Sequence, residues 1–426
     1  MEDNKNEEGF EHIQEKLKER PINRRKLLKT GITTATMAAL FGLTACFTFL
    51  VLEPVFSNWL YPEEEPEYVT ILEAEEDEIL PEDMMIEEEE TVTVENTTIV
   101  NQLDLTVEDI QKLSKSLYDV VEEVQKSIVE VSGVSQDVDW FNNTYESGGQ
   151  DFGLCIADNG RELLILVKQE VLNQADNIQV TFTDGKQYGA AIKETDANTN
   201  LAIVAVERSE VEESTLESFR MVSFGNSSTS ELASPVIAIG SPYGIDDSVA
   251  YGMITSKSTE LNMIDYNYQL LTTDIYGSKN GNGILVNFSG NVIGIITQEY
   301  NSSDVPNLIS AIGISELKSV IERMSNGKKQ AMLGIHCANV SEEASEATGI
   351  PFGAYVTEIV MDSPAMQAGI QSGDVIVQMD DIEITSVNTF VKALGTYQPS
   401  DIVQIIVMRQ GMNEYQEMEV SVTLAE

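Results

Sequence analysis

Hydrolytic and transfer chemistry near neutral pH calls most often on histidine as its base, and this chain of 426 residues holds two, His12 and His336, with none between them. The three cysteines, Cys46, Cys155 and Cys337, lie far apart and without metal-ligand spacing, so they form neither a disulfide framework nor a zinc site. A dyad of Ser278 and Lys168 would need a lysine whose charge is suppressed by burial, yet both residues read as ordinary members of a turn and a strand. Asp196, Asn198, Asn200 and Glu207 fall at the first, third, fifth and twelfth places of a calcium loop. Leu201 stands where such a loop needs glycine, and 201–206 is apolar, so the spacing reads as a turn entering a buried strand. No metal and no cofactor is implied.

The elements that must position any such groups follow from charge and pattern. A formal net charge of -46, from 71 acidic and 25 basic residues, excludes sequence-independent binding to nucleic acid, which needs clustered Lys and Arg. Residues 1–29 end in Arg24, Arg25, Lys26 and Lys29, and from Thr30 to Leu52 no residue is charged. That run is long enough to cross a hydrocarbon core of roughly 30 Å as one helix. The basic flank places 1–29 in the cytoplasm and everything after residue 52 outside, as a single-pass protein of the cell membrane. Leu43-Thr44-Ala45-Cys46 resembles a lipoprotein cleavage box and Arg24-Arg25 a twin-arginine signal, but the apolar run continues past Cys46, which favours an uncleaved anchor. Residues 53–106 are expected to form an acidic, disordered stalk broken by Pro54, Pro62, Pro66 and Pro81.

Beyond the stalk, a helix is expected at 107–124, followed by many short strands with turn signals every 8–12 residues, among them 163–167, 178–183, 201–206, 236–239, 284–287 and 292–297. The order of these pieces resembles the HtrA/Deg serine proteases. Tyr118–Val124 looks like that family's opening segment, and Val180-Thr181-Phe182-Thr183-Asp184-Gly185-Lys186 like its strand and turn after the histidine. Thr199-Asn200-Leu201-Ala202-Ile203-Val204, Gly240-Ser241-Pro242-Tyr243-Gly244, Thr273-Asp274 and Leu285-Val286-Asn287 through Ile295 continue the match in order. Further on, Ser363-Pro364-Ala365 through Ala368-Gly369-Ile370 and Gly373-Asp374-Val375-Ile376 resembles the family's PDZ domain. The resemblance implies a mainly β chain: a chymotrypsin-like double β-barrel at 107–326 and a PDZ domain at 327–426, after an N-terminal transmembrane helix.

It also implies where chemistry would sit. The base position falls on Glu170, the aspartate position on Asn200 and the nucleophile position on Gly281. With all three triad members replaced, the expectation is a pseudoprotease that is not an enzyme, in which Gly277, Gly281 and Gly283 present backbone N–H groups resembling an oxyanion hole. In the PDZ domain, Met332, Leu333, Gly334 and Ile335 match the loop that receives a peptide's terminal carboxylate. Phe390, Val391 and Leu394 line the opposite wall or fill the core. The expected partners are therefore C-terminal peptides or unfolded segments, in extracytoplasmic quality control or signalling, with homo- or hetero-oligomers, trimers among them, implied by the family alone. The rival expectation is an active endopeptidase with non-standard catalytic residues.

Overall fold

Aliphatic and β-branched runs separated by Gly, Asn and Asp become strands in the computed structural model, which describes residues 35–44, 66–72, 106–138, 144–173, 175–301, 303–412 and 414–426. Two closed six-stranded barrels follow one another. The first contains β1 (Ile128–Val138), β2 (Thr144–Asp158), β3 (Glu162–Lys168), β4 (Asn177–Thr181), β5 (Gln187–Asp196) and β6 (Leu201–Glu207), in the order β1-β2-β3-β6-β5-β4. The second contains β7 (Pro235–Ser241), β8 (Ser248–Met263), β9 (Tyr266–Tyr276), β10 (Asn282–Val286), β11 (Val292–Ile296) and β12 (Leu308–Gly313), and runs around its circle as β7-β8-β9-β12-β11-β10. That is the same path repeated. Every pairing is antiparallel.

Strand β3 shows why the barrels cohere. Its successive side chains point to opposite faces. Leu163, Ile165 and Val167 fill the first barrel with Val131, Val180 and Val204, while Leu164 and Leu166 point out into a core shared with Ile237, Ile239 and Ile284 of the second. Both faces are buried, so the strand reads as an unbroken apolar run rather than an alternation. Helix α1 (Val107–Gln125), started by a Thr106/Asp109 capping box, adds Val121 and Val124 to the shared core. Helix α2 (Ile314–Ser325) adds Ile314, Leu317, Val320, Ile321 and Met324.

The C-terminal sheet has the order β13-β14-β15-β17-β18, from Ile335–Asn339, Ala354–Ile359, Val375–Met379, Ile402–Gln410 and Tyr415–Thr423, with the short β16 (Ile382–Glu383) on β15. The most specific sequence motif has a local cause. Ser363 caps the short helix α4 (Pro364–Ala368) through the Met366 N–H, and Gly369 ends it at φ 82, where a side chain would be strained. Buried Asp374 then closes the next turn on the Gln371 N–H and pairs with the Arg409 guanidinium at 2.7 Å. Between α2 and the domain's last helix lies α3 (Glu342–Thr348), and α5 (Val387–Leu394) follows β16.

One expectation about the N-terminal part falls mostly outside the described residues, and one differs from the structure. Of the expected membrane span at 30–52, residues 35–44 are helical and the remainder lies outside the described residues; among those described, no helix is long and apolar enough to cross a membrane. Within the expected disordered stalk, residues 66–72 instead lie extended against the folded part. Asn326 grips the Val69 backbone on both sides (3.0 and 2.9 Å), the Glu67 N–H donates to the Asn159 carbonyl, and the Val69 side chain is buried.

Asp196 accepts from the Thr199 N–H and hydroxyl at the turn into β6, so the carboxylate once matched to a calcium pattern is a turn cap. It also receives Arg323 of α2 at 2.8 Å, and both side chains are largely buried. Removing the cation would leave that carboxylate uncompensated. The variant Arg323→Ala is expected to lose about 3–5 kcal/mol of unfolding free energy in a urea titration, whereas a loss under about 1 kcal/mol would show the pair to be solvent-screened.

Candidate functional site

The three family triad positions sit on the elements the sequence assigns to them. Glu170 lies in the 3-10 turn Gln169–Leu172 after β3, and Asn200 holds the left-handed φ of 55 that an asparagine tolerates, just before β6. They meet: the Asn200 Nδ2 donates to Glu170 Oε1 at 3.2 Å and to Glu299 Oε1 at 3.4 Å. Two carboxylates therefore share one amide where a carboxylate and an imidazole would be expected from the resemblance. Gln298, the neighbour of Glu299, reaches the other way and donates to the Ser278 carbonyl at 3.1 Å, tying this cluster to the turn that carries Gly281.

That turn is tight. The Gly281 N–H donates to the Ser278 carbonyl at 2.9 Å, the Ser278 N–H to the Pro242 carbonyl and the Gly277 N–H to the Asn307 carbonyl. A Cβ on Gly281 would stand 2.6 Å from the Pro242 carbonyl oxygen and 3.0 Å from the Ser278 carbonyl oxygen. Gly283 lies within β10, paired with Gly240 of β7. The glycine N–H groups at 277 and 281 are thus spent on separate carbonyls, and the expected convergence into an oxyanion hole is corrected: a turn closed this closely turns its donors inward.

Beside it, between the two barrels, lies a cavity of about 490 Å³ lined in part by Glu130, Asp151, Phe152, Ser241, Asp247 and Asn282. Asp151 is the notable group, and sequence reasoning missed it. Burial raises its carboxyl above the ordinary range, while the Phe152 N–H, Lys168 and the Asn282 amide partly offset that effect. It lies in β2, far in sequence from every triad position, with no motif to mark it. Lys168 belongs to this carboxylate's surroundings, which is where the structure places the lysine of the Ser278/Lys168 idea.

In the PDZ domain, Leu333, Gly334 and Ile335 do bring their N–H groups to one point, and a carboxylate is already there. Asp265, in the two-residue turn joining β8 to β9, accepts from Leu333 N–H at 2.7 Å, from Gly334 N–H at 2.9 and 3.0 Å, and from Ile335 N–H at 3.0 Å. Its side chain is fully buried, and burial raises its pKa to about 6 against the opposing pull of the three N–H groups. Both of its oxygens accept N–H donors, as those of a carboxylate do. Met332 pairs instead with Ala425. Phe390 and Leu394 are core residues of the PDZ domain, whereas Val391 packs against both that core and the one shared by the barrels. His336 faces the same turn, its Nδ1 3.2 Å from the Asn262 carbonyl oxygen. Cys155 and Cys337 are buried thiols pushed up to about 12 by burial, and Cys46 lies outside the described residues.

Comparison with known proteins agrees with this layout. Residues 152–295 match the trypsin-like peptidase domain and residues 331–422 the PDZ domain. Over 287 residues the chain is 27% identical to a probable periplasmic serine endoprotease DegP-like of Chlamydia trachomatis serovar D, covering 64% of this chain and 53% of that one. A protein of the same name from Marinomonas sp. (strain MWYL1) is 30% identical over 277 residues, covering 64% and 56%. The chain thus spans about half the length of the curated relatives it matches. Among solved structures, the HtrA-type protease AlgW with decapeptide is 20% identical with a TM-score of 0.53, covering 72% of this chain and 98% of that one. AlgW with tripeptide gives 22% and 0.52, with 72% and 96% covered. At those identities the likeness speaks for the fold.

These findings overturn the expectation that the chain is a pseudoprotease and no enzyme: the curated relatives it matches are named serine endoproteases, and its first domain matches the trypsin-like peptidase domain. The expectation ran from three replaced side chains to a lack of hydrolysis. Replacement excludes one route to a nucleophile and leaves the other groups of the cleft, Asp151 among them, in place.

The geometry at Gly281 is directly testable. Because its missing Cβ is hemmed in by two carbonyl oxygens, Gly281→Ser is expected to destabilise the chain by about 1–3 kcal/mol in thermal unfolding. An unchanged melting temperature would mean that the turn opens freely to admit a serine.

Proposed function

We propose that this chain, a member of the HtrA/Deg family by its trypsin-like domain followed by a PDZ domain, acts on polypeptides outside the cytoplasm as an endopeptidase with non-standard catalytic residues. The observation that carries this reading is the cleft between the barrels. It places a carboxyl of raised proton affinity, Asp151, beside Asn282 and the turn of Gly281. A carboxyl so tuned is suited to exchange a proton with a water or hydroxyl attacking a peptide carbonyl. The triad positions take no proton-transfer role in this reading: Asn200 cannot titrate, Gly281 has no side chain, and Glu170 is held by the Asn200 amide.

Support for an extracytoplasmic site of action comes from the basic flank before the apolar run at 30–52 and from relatives named periplasmic. That run anchors the chain in the cell membrane. The PDZ domain serves as the second point of polypeptide contact, through the loop at Met332–Ile335 and the strand that follows, taking peptide C-termini. Helix α5 forms the opposite wall with Val391, while Phe390 and Leu394 hold that wall from the core side.

The test is cleavage of denatured casein by the full chain, with Asp151→Asn and Ser278→Ala alongside. Cleavage by the wild type, reduced at least about tenfold in Asp151→Asn, is the expected result. Fluorophosphonate labelling lost in Ser278→Ala would assign the nucleophile to that serine; cleavage without labelling would assign it to water. No cleavage above a protein-free blank would contradict the reading.

A further inference from the structure

The loop that would hold a peptide's terminal carboxylate already holds one from this chain. Three features of an extended peptide bound by strand addition are a carboxylate at the convergent N–H groups, backbone pairing along the free edge of the adjoining strand, and apolar contact with the facing helix. The hairpin of β8 and β9 supplies a counterpart of each, the second through one backbone bond and two side chains. Its Asp265 carboxylate takes the Leu333, Gly334 and Ile335 N–H groups. The Asp265 N–H donates to the Ile335 carbonyl at 2.7 Å, and the side-chain Nδ2 groups of Asn262 in β8 and Asn267 in β9 donate to the Cys337 carbonyl at 3.0 and 3.2 Å. Val391 of α5, finally, packs against the apolar cluster that contains Tyr266 and Tyr268 of β9.

The turn is held in this position at a cost. Asp265 has a φ of 61, in the left-handed region, and its charge is withdrawn from water. Gly334 bends at φ 85 to let the N–H groups converge, and a Cβ there would stand 2.3 Å from that of Ser363. A buried carboxylate with three N–H donors and a backbone bond to the neighbouring edge is more than packing between two domains. It is a ligand site occupied from within.

We propose that the β8–β9 turn is the internal ligand of the PDZ groove, with the Asp265 carboxylate seated where a peptide's terminal carboxylate would sit, so that peptide ends enter only by displacing it. This deepens the reading of the PDZ domain as a peptide site and rests on it. Displacement would be a true exchange of like for like, one carboxylate for another, and would release the turn from the domain.

The experiment uses the full chain and its Asp265→Ala variant, with Asp265→Asn, close in shape and uncharged, as the replacement should Asp265→Ala not fold. Two probes are applied: sodium acetate, and a fluorescein-labelled decapeptide pool ending in valine as free acid or as amide. In the variant, the Leu333–Ile335 amides are expected to exchange with solvent at least about tenfold faster than in the wild type, and acetate to slow them again by refilling the seat. The variant is expected to bind the free-acid pool at least about tenfold more tightly than the wild type does, and the amide pool no better. Measurable and equal binding of the free-acid pool by both chains would overturn the proposal, as would exchange that Asp265→Ala leaves unchanged. Faster exchange rescued by acetate, with no peptide bound by either chain, would support the occupied seat and overturn instead the reading of the groove as a site for foreign peptides.

Discussion

A single buried carboxylate fixes how the second barrel meets the PDZ domain. Ionised Asp265 cannot be taken out of water unless its oxygens are satisfied, and the groups that satisfy them are the N–H groups of a loop bent by Gly334 to converge. Each side is costly alone: an unpaired carboxylate on one, three unpaired donors on the other. Joined, they hold β13 against β8 and β9 and place α5 over the apolar cluster of β9. Removal of one partner leaves the other buried and unmatched, which is why such a contact discriminates so strongly between the joined and separated arrangements.

Much of the architecture was legible because it depends on period and punctuation. The strands at 163–167, 201–206 and 236–239 appear within a residue or two of their expected bounds, since apolar runs of that length between turn residues have few other structures available. The helix expected at 107–124 spans 107–125. The PDZ motif was legible for the same local reason, a capped short helix and a carboxylate-closed turn. The segment at 66–72 was not. Its acidic and proline-rich surroundings dominated the reading, although Val69 and Ile71 alternate as a half-buried strand would, and the partner that orders it, Asn326, lies more than 250 residues away.

The same distinction separates the two candidate sites. Glu170 and Asn200 could be placed from aligned order, and they do meet. Asp151 has no motif, and its raised proton affinity arises from burial between two barrels, a property of the assembled cleft rather than of any stretch of sequence. Asp265 was equally silent. An Asp in a hairpin turn is commonplace, and nothing in Met263-Ile264-Asp265-Tyr266 announces that the turn ends in another domain's loop. The PDZ loop itself could be recognised, while its occupant could not, because that occupant comes from some 70 positions earlier in the chain.

The joining of the second barrel to the PDZ domain depends most directly on the hydrogen bonds between that carboxylate and its three donors. In the folded, isotopically labelled chain, couplings transmitted across hydrogen bonds can be sought between the carboxyl carbon of Asp265 and the amide nitrogens of Leu333, Gly334 and Ile335. Measurable couplings to these nitrogens are predicted, together with slow exchange of all three amides. Absence of coupling with exchange as fast as in an exposed loop would contradict the arrangement from which the account is built.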